Sequence, residues 1–201
     1  MNKSLALILG AVALFGLLHT VLASKPCKKM VINLLGASGQ RFYRLIYNLI
    51  SVISLAPVLW LVLTLPDTPF YVIPKPWILL SVFIQFSACI GLAISVIQTG
   101  AIRFLGLDAF LPAQPEPQPI QLITSGVYRR VRHPIYTFSL IFLWLLPVMS
   151  ANILAFNLAA TLYFFIGALF EERKLLADFG AEYSAYQKST PMIIPWPKKN
   201  M

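Results

Sequence analysis

Long apolar runs separated by short polar clusters dominate the chain. Four runs stand out, at about 5–23, 45–65, 77–97 and 135–170. A helix needs roughly 20 mostly apolar residues to cross a bilayer, and the first three runs fit that length. The fourth is too long for one crossing. Pro147, then Ser150 and Asn152, interrupt it near the middle, where a helix ends and a tight turn forms. The pattern predicts a helical hairpin there, with spans at about 133–149 and 152–170. The expected fold is all-α: a polytopic membrane helical bundle of about five transmembrane helices, one domain over 1–201. Beyond residue 170 the pattern changes. Leu175, Leu176, Phe179, Tyr183 and Tyr186 recur at helical spacing on one face, with charges opposite. Residues 171–187 therefore read as a C-terminal amphipathic helix running on from the last span and lying at the interface.

The first run has a rival reading. Lys3 ahead of it and Val21-Leu22-Ala23 at its end are also features of a cleavable signal. Its length, and Lys25, Lys28 and Lys29 directly after it, favour an uncleaved span.

Composition narrows the class. Of 201 residues, 58% are hydrophobic and 11% charged, against about 45–50% and about 25% in soluble domains. That excludes an ordinary soluble enzyme and a disordered chain. Two cysteines, Cys27 and Cys89, cannot build a disulfide scaffold. They lie on different elements without metal-type spacing and read as free thiols. Charge sets the orientation. Fourteen of the sixteen Lys and Arg fall in the first loop, the third loop or the tail. With five spans, all three lie on one side, which the positive-inside rule makes the cytoplasm, with the N-terminus outside. The net charge of +9 then reflects anionic lipid beside basic loops, and no nucleic acid is needed.

The remaining polar groups gather at that same face: His19, Asn48, Gln98, His133, Glu171 and Glu172. Polar groups at membrane depth usually face a bundle interior or cavity. Helix ends are polar in any case, and that plainer reading suits His19, Asn48 and Gln98 taken singly. The segment 126–136 carries more. Pro134 suits the first turn of a helix, and His133 before it is biased to an extended conformation. Arg132, His133 and the N–H groups of that helix start converge as a carboxylate or phosphate site. Tyr and Arg beside a span also serve as interfacial anchors, and chemistry alone leaves both readings open. Glu171 and Glu172 point about 100° apart on a helix, so at most one faces inward. A Glu171–Lys174 pair is the plain partner.

These stretches resemble the integral-membrane methyltransferases related to isoprenylcysteine carboxyl methyltransferase. The resemblance rests on Arg132-His133-Pro134-Ile135-Tyr136, Glu171-Glu172 with Leu175, Phe179-Gly180 with Tyr183 and Tyr186, and Pro191-Met192-Ile193-Ile194-Pro195. Order and spacing agree over about 120–196. His19-Thr20-Val21-Leu22-Ala23-Ser24 and Tyr43-Arg44-Leu45-Ile46-Tyr47-Asn48 look like the N-terminal part of membrane methanethiol S-methyltransferases and of NnrU-type proteins. Relatives often carry glycine where this chain has Phe138, a bulky ring that bears on the substrate pocket.

The resemblance implies S-adenosylmethionine as methyl donor, bound on the cytoplasmic side under the C-terminal helix. Arg132, His133 and the adjacent helix start, Pro134 to Tyr136, suit its carboxylate. Glu171 or Glu172 suits its ammonium or ribose. Phe179, Tyr183 and Tyr186, with Leu175 and Tyr128 nearby, suit the adenine. The implied acceptor is a small or lipophilic thiol, or a prenylcysteine-type carboxylate. His133, Glu172 and His19 are the candidate catalytic groups, and no metal is required. Two other classes stay open: a non-catalytic NnrU-like membrane protein, and a small transporter, which would need polar residues along a path near mid-membrane, where only Gln85 and Asn157 lie.

Overall fold

A computed structural model describes residues 2–112 and 121–196. The helices are α1 (Asn2–Ala23), α2 (Lys25–Thr64), α3 (Lys75–Gln98), α4 (Ala101–Leu105), α5 (Pro134–Trp144) and α6 (Ala151–Ser189). Two short strands, β1 (Pro69–Val72) and β2 (Val148–Ser150), pair with each other. Four helical stretches are long and apolar enough to cross a membrane: Lys3–Ala23, Lys25–Thr64, Lys75–Gln98 and Ala151–Ser189.

The expected helices over 5–23, 45–65 and 77–97 are all present. Three boundaries differ from expectation. First, the loop expected after residue 23 is helical. Ser24 caps the start of α2, accepting from Cys27 N at 3.3 Å, and Pro26 occupies its first turn. The helix breaks instead at Gly36 (φ 58°, ψ −136°). Second, the segment expected to span 133–149 is helical only over the 11 residues Pro134–Trp144. At 1.5 Å per residue this is about 16 Å, against a hydrocarbon core of about 30 Å. Third, α6 continues past residue 170 as expected but is not one straight helix. It runs on to Ser189 and breaks at Gly180 (φ 54°, ψ −121°). Both breaks lie where a Cβ is strained, so glycine is the residue that permits them.

The chain packs as two compact units interleaved in sequence. One comprises the described parts of Met1–Phe70, Gly100–Pro115 and Met149–Ala159. Here Ser4, Ile8, Val12 and Gly16, each four residues apart, form the buried stripe of α1. Ile8 and Val12 meet Val58 and Val62 of α2 and Ala155 of α6. The other faces of α1 and α2 expose Leu14, Leu17, Trp60 and Leu63. Lipid is as apolar as these side chains, so close packing and interhelical hydrogen bonds hold such helices together.

The second unit comprises the described parts of Tyr71–Thr99, Glu116–Val148 and Ala160–Met201. Here α3 packs on α5 through a buried stripe of small and polar residues: Ser81, Gln85, Ala88, Gly91 and Ser95. Ser81 Oγ donates to Leu145 O, and Gln85 Nε2 donates to Phe142 O at 3.0 Å. Those carbonyls lie at the C-terminal end of α5, which has no further turn to bond them. Gln85, one of the two polar residues near mid-span, thereby bonds a backbone group.

The turn between α5 and α6 also carries hydrogen bonds of its own. Ile73 N donates to Pro147 O at 2.9 Å, and Ala151 N donates to Thr68 O at 2.9 Å. Asp67 Oδ1 accepts from Thr68 N at 2.7 Å and from Asn152 N at 3.0 Å, capping the start of α6. Asn152 Nδ2 in return donates to Leu65 O at 3.1 Å, at the end of α2. Burial alone would raise the Asp67 pKa. The hydrogen bonds from Ser150, Asn152, Thr68 and Ala151 outweigh that and hold it below the ordinary carboxylate value. The Asp67 contribution to stability is therefore present above the unfolded-state pKa of about 3.9 and is lost as pH falls through the lower folded value. Asp67→Ala should cost about 0.5–1 kcal/mol at neutral pH, the low end for helix caps because the carboxylate is exposed. In pH-dependent thermal unfolding the gap from wild type should close in strong acid, and a gap independent of pH would refute the capping role.

Candidate active site

In the second unit the segment before α5, the body of α6 and the residues after α6 meet at one guanidinium. Arg132 Nε donates to Glu172 Oε1 at 2.6 Å, and Nη2 lies 2.5 Å from the same oxygen. Arg132 Nη1 donates to Gln187 O at 3.1 Å and to Thr190 O. Gln187 Nε2 donates to Glu172 Oε2 at 2.9 Å. In a straight helix, residues 15 apart are separated by about 22 Å. Glu172 and Gln187 touch because α6 bends at Gly180 between them.

The backbone continues the same docking. Arg132 N donates to Pro191 O at 2.9 Å, His133 N to Met192 O at 3.0 Å, and Thr137 Oγ1 to Ile193 O at 2.6 Å. The Pro191–Ile194 stretch therefore lies along the segment that leads into α5. His133 is non-helical (φ −121°, ψ 65°) and Pro134 opens α5, as the proline predicts.

His133 is buried between the two glutamates. Its Nε2 lies 3.3 Å from Glu172 Oε1 and its Nδ1 lies 3.5 Å from Glu171 Oε2. Only a doubly protonated ring can donate to both carboxylates. Tyr136 OH donates to Glu171 Oε2 at 3.1 Å. The rings of His133, Tyr136 and Phe164 form a stack, with centroids 5.4 and 5.2 Å apart and planes within 8° and 11°. The two glutamates divide as adjacent helical residues should: the Glu172 side chain is 11% exposed and the Glu171 side chain 47%.

The remaining candidates form a second layer. Tyr183 and Tyr186 are buried against each other, edge to face at 5.9 Å. The Tyr186 hydroxyl donates to Tyr128 O, and Tyr128 OH donates to Ser95 O at 3.4 Å. Burial, then the nearby Glu171 charge, holds the Tyr128 phenol above its ordinary pKa, so it stays a proton donor. The Tyr183 hydroxyl lies in the field of Glu172 and Arg132 without a well-formed hydrogen bond to either. Leu175 and Phe179 are half-buried. Phe138 packs against α3. Its ring lies over Gly91 of α3, where an added Cβ would come within 2.5 Å.

His19 belongs to the first unit. Its Nδ1 lies 3.0 Å from Ser51 Oγ, its Nε2 bonds the Tyr47 hydroxyl, and Phe15 and Tyr47 flank its ring. Asn48 Nδ2 donates to Phe104 O at 3.0 Å, and Gln98 Oε1 accepts from Val127 N at 3.2 Å. Each of these three carries structural bonds of its own. No group of His, Cys, Asp and Glu suited to a metal ion occurs among the described residues. Sequence reading missed Phe164, Gln187 and Thr190. Phe164 shares a helical face with Glu171, seven residues on, which was a usable signal. Gln187 and Thr190 lie past the Gly180 break, where helical phase is lost.

The sequence profile of the family described as phospholipid methyltransferase matches residues 75–182. The chain belongs to that family. It is 30% identical to methanethiol S-methyltransferase 1 of Bradyrhizobium diazoefficiens over 92% of this chain and 64% of that protein. It is 31% identical to methanethiol S-methyltransferase 2 of the same organism, over 91% of this chain and 70% of the relative. It is 31% identical to the protein-S-isoprenylcysteine O-methyltransferase of Schizosaccharomyces pombe over 54% of each chain. The chain thus spans about two thirds of the length of the bacterial relatives. No solved structure matches it. Long apolar helices and these relatives together make it an integral membrane protein.

Removing one member of a buried pair strands the other, which typically costs about 3–5 kcal/mol. Arg132→Ala and Glu172→Ala should each lower the thermal midpoint strongly, and the double variant should lose much less than the sum of the two. Additive losses in the double-mutant cycle would show that the two side chains act independently.

Proposed function

We propose that this protein is an S-adenosylmethionine-dependent membrane methyltransferase that methylates a small thiol at the cytoplasmic face. Family membership and the names of the relatives support methyl transfer. Two of those names specify methanethiol. The gathering of fourteen of the sixteen basic residues into three segments supports the cytoplasmic assignment. The observation that carries the reading is the imidazole of His133 held between Glu171 and Glu172 beside a stack of aromatic rings.

The residues present fit the cofactor. It is cationic at sulfur and at its amino group, and Glu171 is the carboxylate of the pair that stays half-exposed. The outer face of Phe164, at the end of the stack, suits a cation by the attraction of ring electrons. S-adenosylmethionine, when bound, supplies a methyl group activated on a sulfonium. Glu171, Tyr136 and His133 would hold it, with Pro134, Leu175 and Phe179 as walls and Tyr128, Tyr183 and Tyr186 as the buried support behind them.

Arg132 takes a different part from the carboxylate acceptor that the motif suggests. Its donors are already directed at Glu172, Gln187 and Thr190. It acts as a positioning residue for Glu172, which in turn orients His133 Nε2. A thiol attacks as its thiolate, so a proton must leave it. His133, in a state with one nitrogen unprotonated, is the group proposed to receive that proton. Burial of His133 and Glu172 keeps water away from the step.

The test is thermal unfolding of detergent-purified protein with S-adenosylmethionine or S-adenosylhomocysteine. A ligand at a hundredfold excess over its Kd should stabilise by about 2.7 kcal/mol. Glu171→Gln, which leaves the buried pair intact, should shrink that shift. No shift with well-folded protein at millimolar ligand would end the enzyme reading. A labelled-methyl assay across methanethiol, larger thiols and prenylcysteine then assigns the acceptor, and transfer to none of the thiols would refute the thiol assignment.

A further inference from the structure

The first unit carries a second concave site with chemistry unlike the one above. The arm of α2 before Gly36 meets the arm after it at Gly39. An added Cβ on Gly39 would come within 2.8 Å of Val31 O, although straight helix would separate those residues by about 12 Å. The elbow borders an open groove of about 470 Å³, within the roughly 300–1,000 Å³ usual for ligand sites. Val31 and Leu35 line it from the first arm, and Phe42, Ile46 and Ile50 from the second. Ser38 and two tyrosines also reach it, and both tyrosine hydroxyls are spent, so the lining is mostly apolar. Tyr43 donates to Leu22 O and Tyr47 bonds His19. The groove therefore asks for hydrocarbon.

Beside it stands uncompensated positive charge. The first 66 residues contain no Asp or Glu but carry Lys3, Lys25, Lys28, Lys29, Arg41 and Arg44. Arg41 and Arg44 donate to backbone carbonyls of Ala109, Leu111 and Arg103. Lys25, Lys28 and Lys29 are exposed, and among the described residues no carboxylate pairs with any of them. They sit at successive helical spacings in the opening turns of the arm. Lys28 is seven residues before Leu35, so the two are within about 20° on the helix surface. The cation thus lies on the groove-facing side of the arm. On the same arm Met30 is 57% exposed and Leu34 75%, a surface suited to lying among lipids.

A cation cluster adjoining a hydrocarbon groove matches one amphiphile. We propose that the α2 elbow binds one anionic phospholipid, its phosphate on Lys28 between Lys25 and Lys29, and one acyl chain in the groove. This site is independent of the methyl-transfer reading.

The test uses the full chain in a neutral detergent, with phosphatidylglycerol or phosphatidylcholine added at equal mole fraction. Phosphatidylglycerol should raise the thermal midpoint by several degrees more than phosphatidylcholine. Native mass spectrometry should retain one phosphatidylglycerol per chain. The triple variant K25Q/K28Q/K29Q should erase the preference between lipids. Ile46→Trp, which fills the groove, should lose the retained lipid while eluting as folded protein. Equal stabilisation by both lipids, or a preference that survives the lysine changes, overturns the proposal. So does a groove variant that keeps its lipid and instead raises the KM of the thiol acceptor, because the groove then belongs to the substrate. Should the variants fail to fold, the wild-type spectrum decides, and no retained phosphatidylglycerol overturns it.

Discussion

The candidate site depends on one buried ion pair, Arg132 with Glu172. Either charge alone in that environment would carry an unpaid solvation penalty, so the pair forms only with its remaining bonds in place. Gln187 and His133 occupy the other positions around the carboxylate, and the carbonyls of Gln187 and Thr190 take the far side of the guanidinium. One interaction thus joins the lead-in to α5, the body of α6 and the segment after it. The bend at Gly180 makes this possible, because without it the end of α6 would lie far from Glu172. The geometry of His133 follows, since its ring is set by the two carboxylates and by Tyr136.

A second constraint comes from the membrane, where every backbone donor and acceptor needs a partner within the protein. Helix α5 is too short to cross by itself, and its end exposes carbonyls. Ser81 and Gln85 of α3 supply the missing donors. The turn that follows is tied by strand pairing and by Asp67 and Asn152, which serve the start of α6 and the end of α2. Polar residues inside apolar runs here complete hydrogen bonds of broken backbone. Gln85 is the clearest case, because it lies near mid-span and its amide proves to be part of the scaffold.

The site was legible to the extent that its residues share a local motif. Arg132-His133-Pro134 and Glu171-Glu172 stand out because charged residues are scarce in a chain that is 58% apolar. The rule that adjacent helical glutamates diverge allowed at most one of the two to be buried. Which one, and against what, depended on contacts 40 residues apart in sequence. The motif suggested a free guanidinium for a ligand carboxylate, whereas the fold turns that guanidinium inward. Phe138 looked like an obstruction in a pocket, and Gly91 on another helix supplies the space that receives its ring.

The sequence alone determined that the protein lives in a membrane, where its most apolar helical stretches lie, and which residues are candidates for its chemistry. Those features follow from local periodicity and from composition, which need no knowledge of distant contacts. The tertiary structure decided what the helix breaks accomplish. Gly36 and Gly180 look like ordinary glycines in apolar or amphipathic helices. Their backbone angles fold one arm over a groove and bring the other back to Arg132. It also decided that two groups fifteen positions apart along α6 lie 2.9 Å from each other. A helical repeat predicts neighbours only while the helix continues, so any contact made across a break is invisible until the chain is folded.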